Sequence, residues 1–164
     1  MENNLLSGII KQFQHYKNAG EKTMAQLSFE NINHQPNEDS NSISIIVKHL
    51  VGNMLSRSTN FLTEDGEKEW RQRDQEFEAS YTTKEDLLAH WEKGWNCVFD
   101  AIFPLKKEDL NKIIYIRKES FPVMEALIKQ LAHYAYHIGQ MAYVGKMLKG
   151  DQWVSLSIPK RKNI

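Results

Sequence analysis

The stretch FPVMEALIKQLAHYAYHIGQMAYVGKMLK, residues 121–149, decides the fold. Its apolar residues recur at steps of three and four, which is the period of an α-helix with one buried side. Pro122 is tolerated in the first turn of such a helix, and Gly150 stands at its expected end. The core side of this helix carries Leu127, Leu131, Tyr134, Ile138, Met141 and Gly145. A long helix with one apolar side requires other helices to pack against.

Three further segments show the helical period, at about residues 3–27, 41–62 and 83–103. Four helices and few strand signals predict an all-α fold, and specifically a four-helix bundle. We find no internal repeat and no linker, so we expect a single domain over residues 1–164.

Hydroxyl side chains indicate where these helices begin. Ser40 or Ser42 can cap the second predicted helix. Thr82 and Glu85 have the spacing of a capping box, which predicts the start of the third helix. Pro104 is expected to end that helix.

Two connecting segments differ in character. Residues 28–40 are rich in Asn, which predicts a loop between the first two helices. Residues 63–81, after the second helix, are highly charged and lack apolar periodicity. We expect a structured, charged loop there, with Trp70 and Phe77 as its apolar anchors.

The last connection and the C-terminal tail are short. KIIYIR, residues 112–117, is rich in β-branched side chains and predicts a short extended crossover before the fourth helix. Residues 150–164 form a tail in which Trp153 can pack back on the helices. We expect the tryptophans Trp70, Trp91, Trp95 and Trp153 to be core or interface anchors.

Composition and charge exclude several classes of protein. The chain is 41% hydrophobic and 26% charged, which excludes collagen-like, low-complexity and wholly disordered proteins. Basic and acidic residues both number 21, so we expect no nucleic-acid partner. The chain has a single cysteine, no apolar signal region and no apolar run of about 18 residues. We therefore expect no membrane contact and a cytoplasmic location.

Two histidines stand four residues apart in HYAYHIGQM, at His133 and His137. On a helix their Cβ atoms lie roughly 5–6 Å apart on one face. Both can then bind one ion through metal–nitrogen bonds of about 2.0–2.1 Å. His49 lies in a polar strip beside the apolar side of the second helix, so a neighbouring helix about 8–10 Å away can bring it to the pair. The alternative, that all three are boundary residues meeting water, stays open.

The other histidines and the cysteine are weaker candidates. His15 falls away from the apolar side of its helix, and His34 lies in a polar loop. His90 and Cys97 stand two helical turns apart, which is too far for one tight ion site. We expect Cys97 to be a buried, unreactive thiol.

Four motifs in combination resemble the DinB-like superfamily, and more narrowly a subgroup classed as a domain of unknown function. They are SNSISIIVKHLVGNMLSR at 40–57, DGEKEWRQRDQEFE at 65–78, HYAYHIGQM at 133–141 and WVSLSIPK at 153–160. The resemblance implies a four-helix bundle whose second and fourth helices supply three histidines to a divalent metal ion, zinc or nickel. His49, His133 and His137 occupy the matching positions.

Three histidines on a divalent ion leave an open position, which is the pattern of catalytic zinc. Water or a thiol at that position loses its proton more readily, for hydrolysis or for attack on an electrophile. Parts of the superfamily are similar to transferases and isomerases that use low-molecular-weight bacterial thiols such as bacillithiol or mycothiol. The resemblance therefore implies a thiol transferase with a small-molecule substrate and such a thiol as co-substrate. A metal-dependent hydrolase and a non-enzymatic, metal-binding or dimerising stress-response protein remain alternatives, and the resemblance also implies a homodimer.

Polar residues near the three histidines are candidates for supporting roles. Asn53, one turn after His49, and Gln140, three residues after His137, can orient a ligand imidazole or a substrate, or else are solvated amides. Three arginines can clamp a carboxylate of an anionic thiol: Arg57, Arg71 and Arg73. We favour the alternative that these arginines pair with acidic residues of the charged loop.

Overall fold

The computed structural model describes residues 4–78 and 80–159, and most of them are α-helical. The helices are α1 (Asn4–Ala25), α2 (Phe29–Asn33), α3 (Ile43–Ser58), α4 (Lys84–Ile102) and α5 (Val123–Lys149). The prediction of an all-α fold is confirmed. The predicted helix start at residue 3 and the tail residues 160–164 lie outside the described residues.

The long helices pack side by side: α3 lies against α4 and α5, and α1 lies against α5. Ser28 caps the short helix α2, which occupies part of the segment predicted as a loop. None of the helices in the described ranges is long and apolar enough to cross a membrane.

Helix α3 begins where the sequence indicates and ends early. Ser42 Oγ accepts a hydrogen bond from Ile45 N at 3.3 Å, which caps the first turn. The predicted end near residue 62 is wrong, because Thr59 is extended and Asn60 has a φ of 50°. Asn tolerates this left-handed conformation, and it turns the chain out of the helix.

Helix α4 begins one residue later than the predicted capping box. Thr83 Oγ1 accepts a hydrogen bond from Asp86 N at 3.1 Å, and Thr82 Oγ1 donates to the Asp86 carboxylate at 2.9 Å. The pairing of Thr82 with Glu85 is therefore wrong. The sequence contains two overlapping pairs with the same spacing, and the spacing alone does not choose between them.

The KIIYIR segment is one half of a β-hairpin, so the prediction of a single extended crossover is wrong. Strand β1 (Ile113–Ile116) pairs antiparallel with β2 (Glu119–Pro122). Arg117 and Lys118 form the turn with φ of 55° and 67°. Two-residue hairpin turns of this kind favour Asn and Gly, so the sequence carries no turn signal here. Pro122 precedes the first residue of α5 and does not lie within its first turn.

Asp65, a residue of the charged loop, stabilises the hairpin turn. Its carboxylate accepts hydrogen bonds from Arg117 N at 2.9 Å and from Lys118 N at 2.7 Å. Burial alone would raise the pKa of Asp65, but these donors and the N–H of Glu67 hold the pKa below its ordinary value. The left-handed conformation of two basic residues thus depends on an acid 52 and 53 residues earlier in the chain.

We predict that Asp65→Asn lowers the free energy of unfolding by about 1–2 kcal/mol. The substitution replaces one carboxylate oxygen by an NH2 group, which cannot accept a hydrogen bond from the backbone. Because the pKa of Asp65 is lowered by folding, the difference from wild type should be full at neutral pH and shrink as pH falls below about 4. Chemical denaturation with Asp74→Asn as the control tests this, since Asp74 is fully exposed in the same loop. Equal stability of the two variants at pH 7 would contradict it.

The core is an aromatic cluster that sets the rotation of α5. Trp95 packs edge-on against Phe13 and Tyr134, with ring centroids 6.5 and 5.5 Å away, and Trp91 lies 5.6 Å from Trp95. Trp91 and Trp95 are fully buried, which confirms their predicted role as core anchors. Because Tyr134 points into this cluster, its neighbour His133 turns toward α3.

Candidate metal centre

Three histidines from two packed helices meet at one point. Helix α3 contributes His49, and α5 contributes His133 and His137. One nitrogen from each ring lies within 4.8 Å of the other two. His49 Nε2 and His133 Nε2 are 3.2 Å apart, and the ring centroids of His133 and His137 are 4.7 Å apart. The structure thus brings together the three residues that the sequence singles out, in a group that could hold a metal ion.

The separation and protonation of these rings fit a bound divalent ion. Two nitrogens at tetrahedral positions, about 2.0–2.1 Å from one ion, lie about 3.3 Å from each other, close to the distance between the two Nε2 atoms. Burial, with repulsion from His137 and His49, lowers the pKa of His133 to about 3. Burial and His49 also lower the pKa of His137. Neutral imidazole is the form that binds metal ions.

A buried carboxylate fixes the orientation of His49. Glu76 Oε2 lies 2.9 Å from His49 Nδ1, and since an ionised carboxylate only accepts, Nδ1 carries the proton. His49 Nε2 is then left unprotonated on the side that faces His133. A carboxylate behind a ligand histidine holds the tautomer and raises the basicity of the ring.

Arg71 keeps this carboxylate charged. Its Nε and Nη2 donate to the two oxygens of Glu76 at 2.7 and 3.0 Å, in a bidentate pair. Burial raises the pKa of Glu76, but the hydrogen bonds from His49 and Arg71 bring it below its ordinary value. The side chains of Arg71 and Glu76 are only 2% and 7% exposed, so solvent screens the pair little.

Gly52 makes room for the Glu76 carboxylate on α3. A Cβ at residue 52 would overlap the side chain of Glu76. Sequence reasoning missed Glu76 as a partner of His49, because it lies 27 residues further along in a loop without periodicity. One usable signal was present in the sequence. Gly52 lies three residues after His49 and has no side chain, which leaves space for another group beside the histidine.

The loop containing Glu76 also covers His49 with an aromatic ring. Phe77 stacks on the His49 imidazole with centroids 4.9 Å apart and an angle of 29° between the planes. Phe77 is therefore an apolar anchor of the charged loop, as predicted. Trp70 is not, because it is 56% exposed.

The two predicted amides differ in their surroundings. Gln140 Oε1 accepts a hydrogen bond from His137 Nδ1 at 2.9 Å, which leaves His137 Nε2 free for an ion. Asn53 is buried, and its Oδ1 has no hydrogen-bond partner in the part of the chain that the structure describes.

The three arginines pair within the charged loop, as the favoured interpretation expected. Arg57 Nη2 donates to Glu67 Oε2 at 3.0 Å, and Arg57 also donates to the Gly66 carbonyl. Arg71 pairs with Glu76, as described. Arg73 is exposed, with its Nη1 4.0 Å from Asp74 Oδ1 and its guanidinium 5.3 Å from the centre of the Phe77 ring. The arginines are thus engaged with the loop.

The weaker candidates lie elsewhere. His15 and His34 are exposed. His90 Nδ1 lies 2.5 Å from the Tyr81 hydroxyl. Cys97 is only partly buried, with its Sγ 3.6 Å from Thr59 Oγ1, so the expectation of a buried thiol is wrong. The group of described residues that could hold a metal ion contains none of these four.

Comparison of the whole chain with known proteins leads to one family. No curated protein and no solved structure matches the chain. A family model described as a protein of unknown function, DUF1572, matches residues 1–162. The match includes all three histidines, the carboxylate behind His49 and the loop that carries it. The chain therefore belongs to the DUF1572 family.

Proposed function

We propose that this chain is a metal-dependent enzyme of the DinB-like superfamily that transfers a low-molecular-weight thiol to a small electrophile. In this proposal His49, His133 and His137 hold a zinc or nickel ion. The observation that carries it is the meeting of three imidazoles from two helices, with two Nε2 atoms 3.2 Å apart. Three protein ligands leave a position for an exchangeable molecule.

The packing of the long helices supports the superfamily assignment. Helices α1, α3, α4 and α5 are the four long elements, and the ligands come from the second and fourth of them, α3 and α5. We propose on this basis a four-helix bundle of the DinB-like type.

The side chains around the site have defined roles in this proposal. A divalent ion supplies Lewis acidity, which lowers the pKa of a thiol that it contacts. Glu76 orients His49, and Gln140 orients His137. Phe77 covers one face of His49 and limits water there.

The transfer balances without an oxidant or reductant. The thiol gives its proton to solvent, and its sulfur forms a bond to carbon of the electrophile. The bond from that carbon to the leaving group breaks, and the leaving group departs with the electron pair. Bacillithiol with chlorodinitrobenzene, which releases chloride, is a suitable probe pair.

We predict about one zinc or nickel ion per chain, as a single three-histidine site requires, in untagged protein purified without chelators. Elemental mass spectrometry measures this content. The loaded protein should consume chlorodinitrobenzene at a rate that requires bacillithiol, and the metal-free protein should not. A chain that takes up no ion even on reconstitution would overturn the metal centre. A loaded chain without a thiol-dependent rate would overturn the transferase and favour the hydrolytic or non-enzymatic alternative.

A further inference from the structure

A cavity of about 620 Å³ lies between α5 and the segment that leads from α2 into α3. Its volume falls within the range of small-molecule pockets, about 300–1,000 Å³. Its lining includes Ile46, Tyr136, Gly139, Gln140 and Tyr143.

This cavity adjoins the metal centre through residues that touch its ligands. Gln140 lines the cavity and accepts the hydrogen bond from His137 Nδ1. Tyr136 also lines it, and its ring meets the His137 ring edge-on at 5.1 Å. Ile46 lies one turn before His49 on α3. A molecule in the cavity therefore lies against side chains that contact the proposed ligands.

The two tyrosines in the lining favour a flat ring as the occupant. Tyr136 and Tyr143 stand two turns apart on α5, about 10 Å along the axis, and Gly139 lies between them. A Cβ at Gly139 would meet nothing within 4 Å. Glycine inside a helix costs about 0.5–1 kcal/mol relative to alanine, and no neighbouring atom requires it here. The bare position keeps open the space between the two tyrosines.

The charge of the lining disfavours an anionic occupant. The described lining contains no Lys or Arg, and its single charged residue is Asp39. Arg57 and Arg71, whose charges act on His133, are already paired with Glu67 and Glu76. A carboxylate or sulfonate placed in the cavity would lose hydration without gaining a cationic partner.

We infer that this cavity binds the flat, uncharged body of the electrophile and presents it to the metal centre past Gln140 and Tyr136. This inference rests on the proposed function, because it assigns the substrate of that same site. It separates the two reactants: the electrophile occupies the cavity along α5, and the anionic thiol approaches from another side.

The test uses two fluorescent probes with the same rings and different charge. N-phenylnaphthylamine is uncharged, and anilinonaphthalene sulfonate carries one negative charge. Wild-type protein, metal-free and zinc-loaded, should bind the uncharged probe about tenfold more tightly or better. Gly139→Leu fills the cavity and should weaken binding of the uncharged probe by about tenfold or more. Gly8→Leu is the matched control, because Gly8 is also helical and open.

Each result bears on the cavity separately from the metal. Binding of the uncharged probe that Gly139→Leu weakens and Gly8→Leu leaves unchanged supports the cavity as a site for flat, uncharged molecules, whether or not the chain takes up metal. Equal binding to wild type and Gly139→Leu overturns it, as does tighter binding of the sulfonate. Elemental analysis of Gly139→Leu should still find the wild-type metal content. A drop would show that residue 139 acts on the ligands themselves and would overturn its assignment to the cavity.

Discussion

Replacing His49 with alanine is expected to weaken metal binding by roughly 100- to 1,000-fold. Binding of a divalent ion by a complete protein site is worth about 10–16 kcal/mol, so one lost ligand removes several kcal/mol. The loss also leaves Glu76 and Arg71 buried without their third partner. His133→Ala and His137→Ala should have similar effects. A competition titration against a chelator of known affinity measures the change.

His15→Ala is the control for these variants. His15 is exposed on α1 and takes no part in the histidine group. Its metal content and affinity should equal those of wild type. If all four variants retain metal equally, the three histidines are not the ligands, and the metal centre must be abandoned.

A single methyl group at residue 52 should also weaken the metal centre. Gly52→Ala puts a Cβ where the Glu76 carboxylate lies, so Glu76 must move away from His49. Loss of a carboxylate behind a ligand histidine typically costs 10- to 100-fold in metal affinity. We expect a loss of this size by the same chelator titration, although Gly52 touches no ligand nitrogen. Gly8→Ala, at an open helical position, should change nothing.

A double-mutant cycle identifies the route of this effect. If Gly52→Ala acts through Glu76, its addition to Glu76→Ala should cost little more than Glu76→Ala alone. In Glu76→Ala the space beside residue 52 is free, so the added methyl group also meets no clash. Losses that add in full would show that Gly52 acts by another path, and its proposed role of making room for Glu76 would fall.

The histidine group could be predicted because its information is local. His133 and His137 share one face through helical spacing, and the polar strip containing His49 borders the apolar side of α3. Both observations need only the period of a helix. The burial of Tyr134 then fixes how α5 is rotated, and that burial also follows from the apolar pattern.

The features that the sequence did not reveal depend on contacts between distant segments. Glu76 reaches His49 from a loop, where no period relates position to direction. The turn at Arg117 and Lys118 forms because Asp65 accepts from both backbone N–H groups, so its cause lies outside the hairpin. The predicted start of α4 was wrong for a different reason, because Thr82 and Thr83 are both followed three residues later by an acidic residue, at the spacing of a capping box.

The wide spacing of the ligands along the chain has a consequence for folding. His49 and His133 are 84 residues apart in the chain, and their Nε2 atoms lie 3.2 Å apart. An ion held by both would act as a cross-link that closes a loop of this length. In the chain-entropy treatment of cross-links, such closure removes about 4–5 kcal/mol of freedom from the unfolded chain. The ion would thus fasten α3 to α5 much as a disulfide does, in a chain whose single cysteine cannot form a disulfide with another of its own residues.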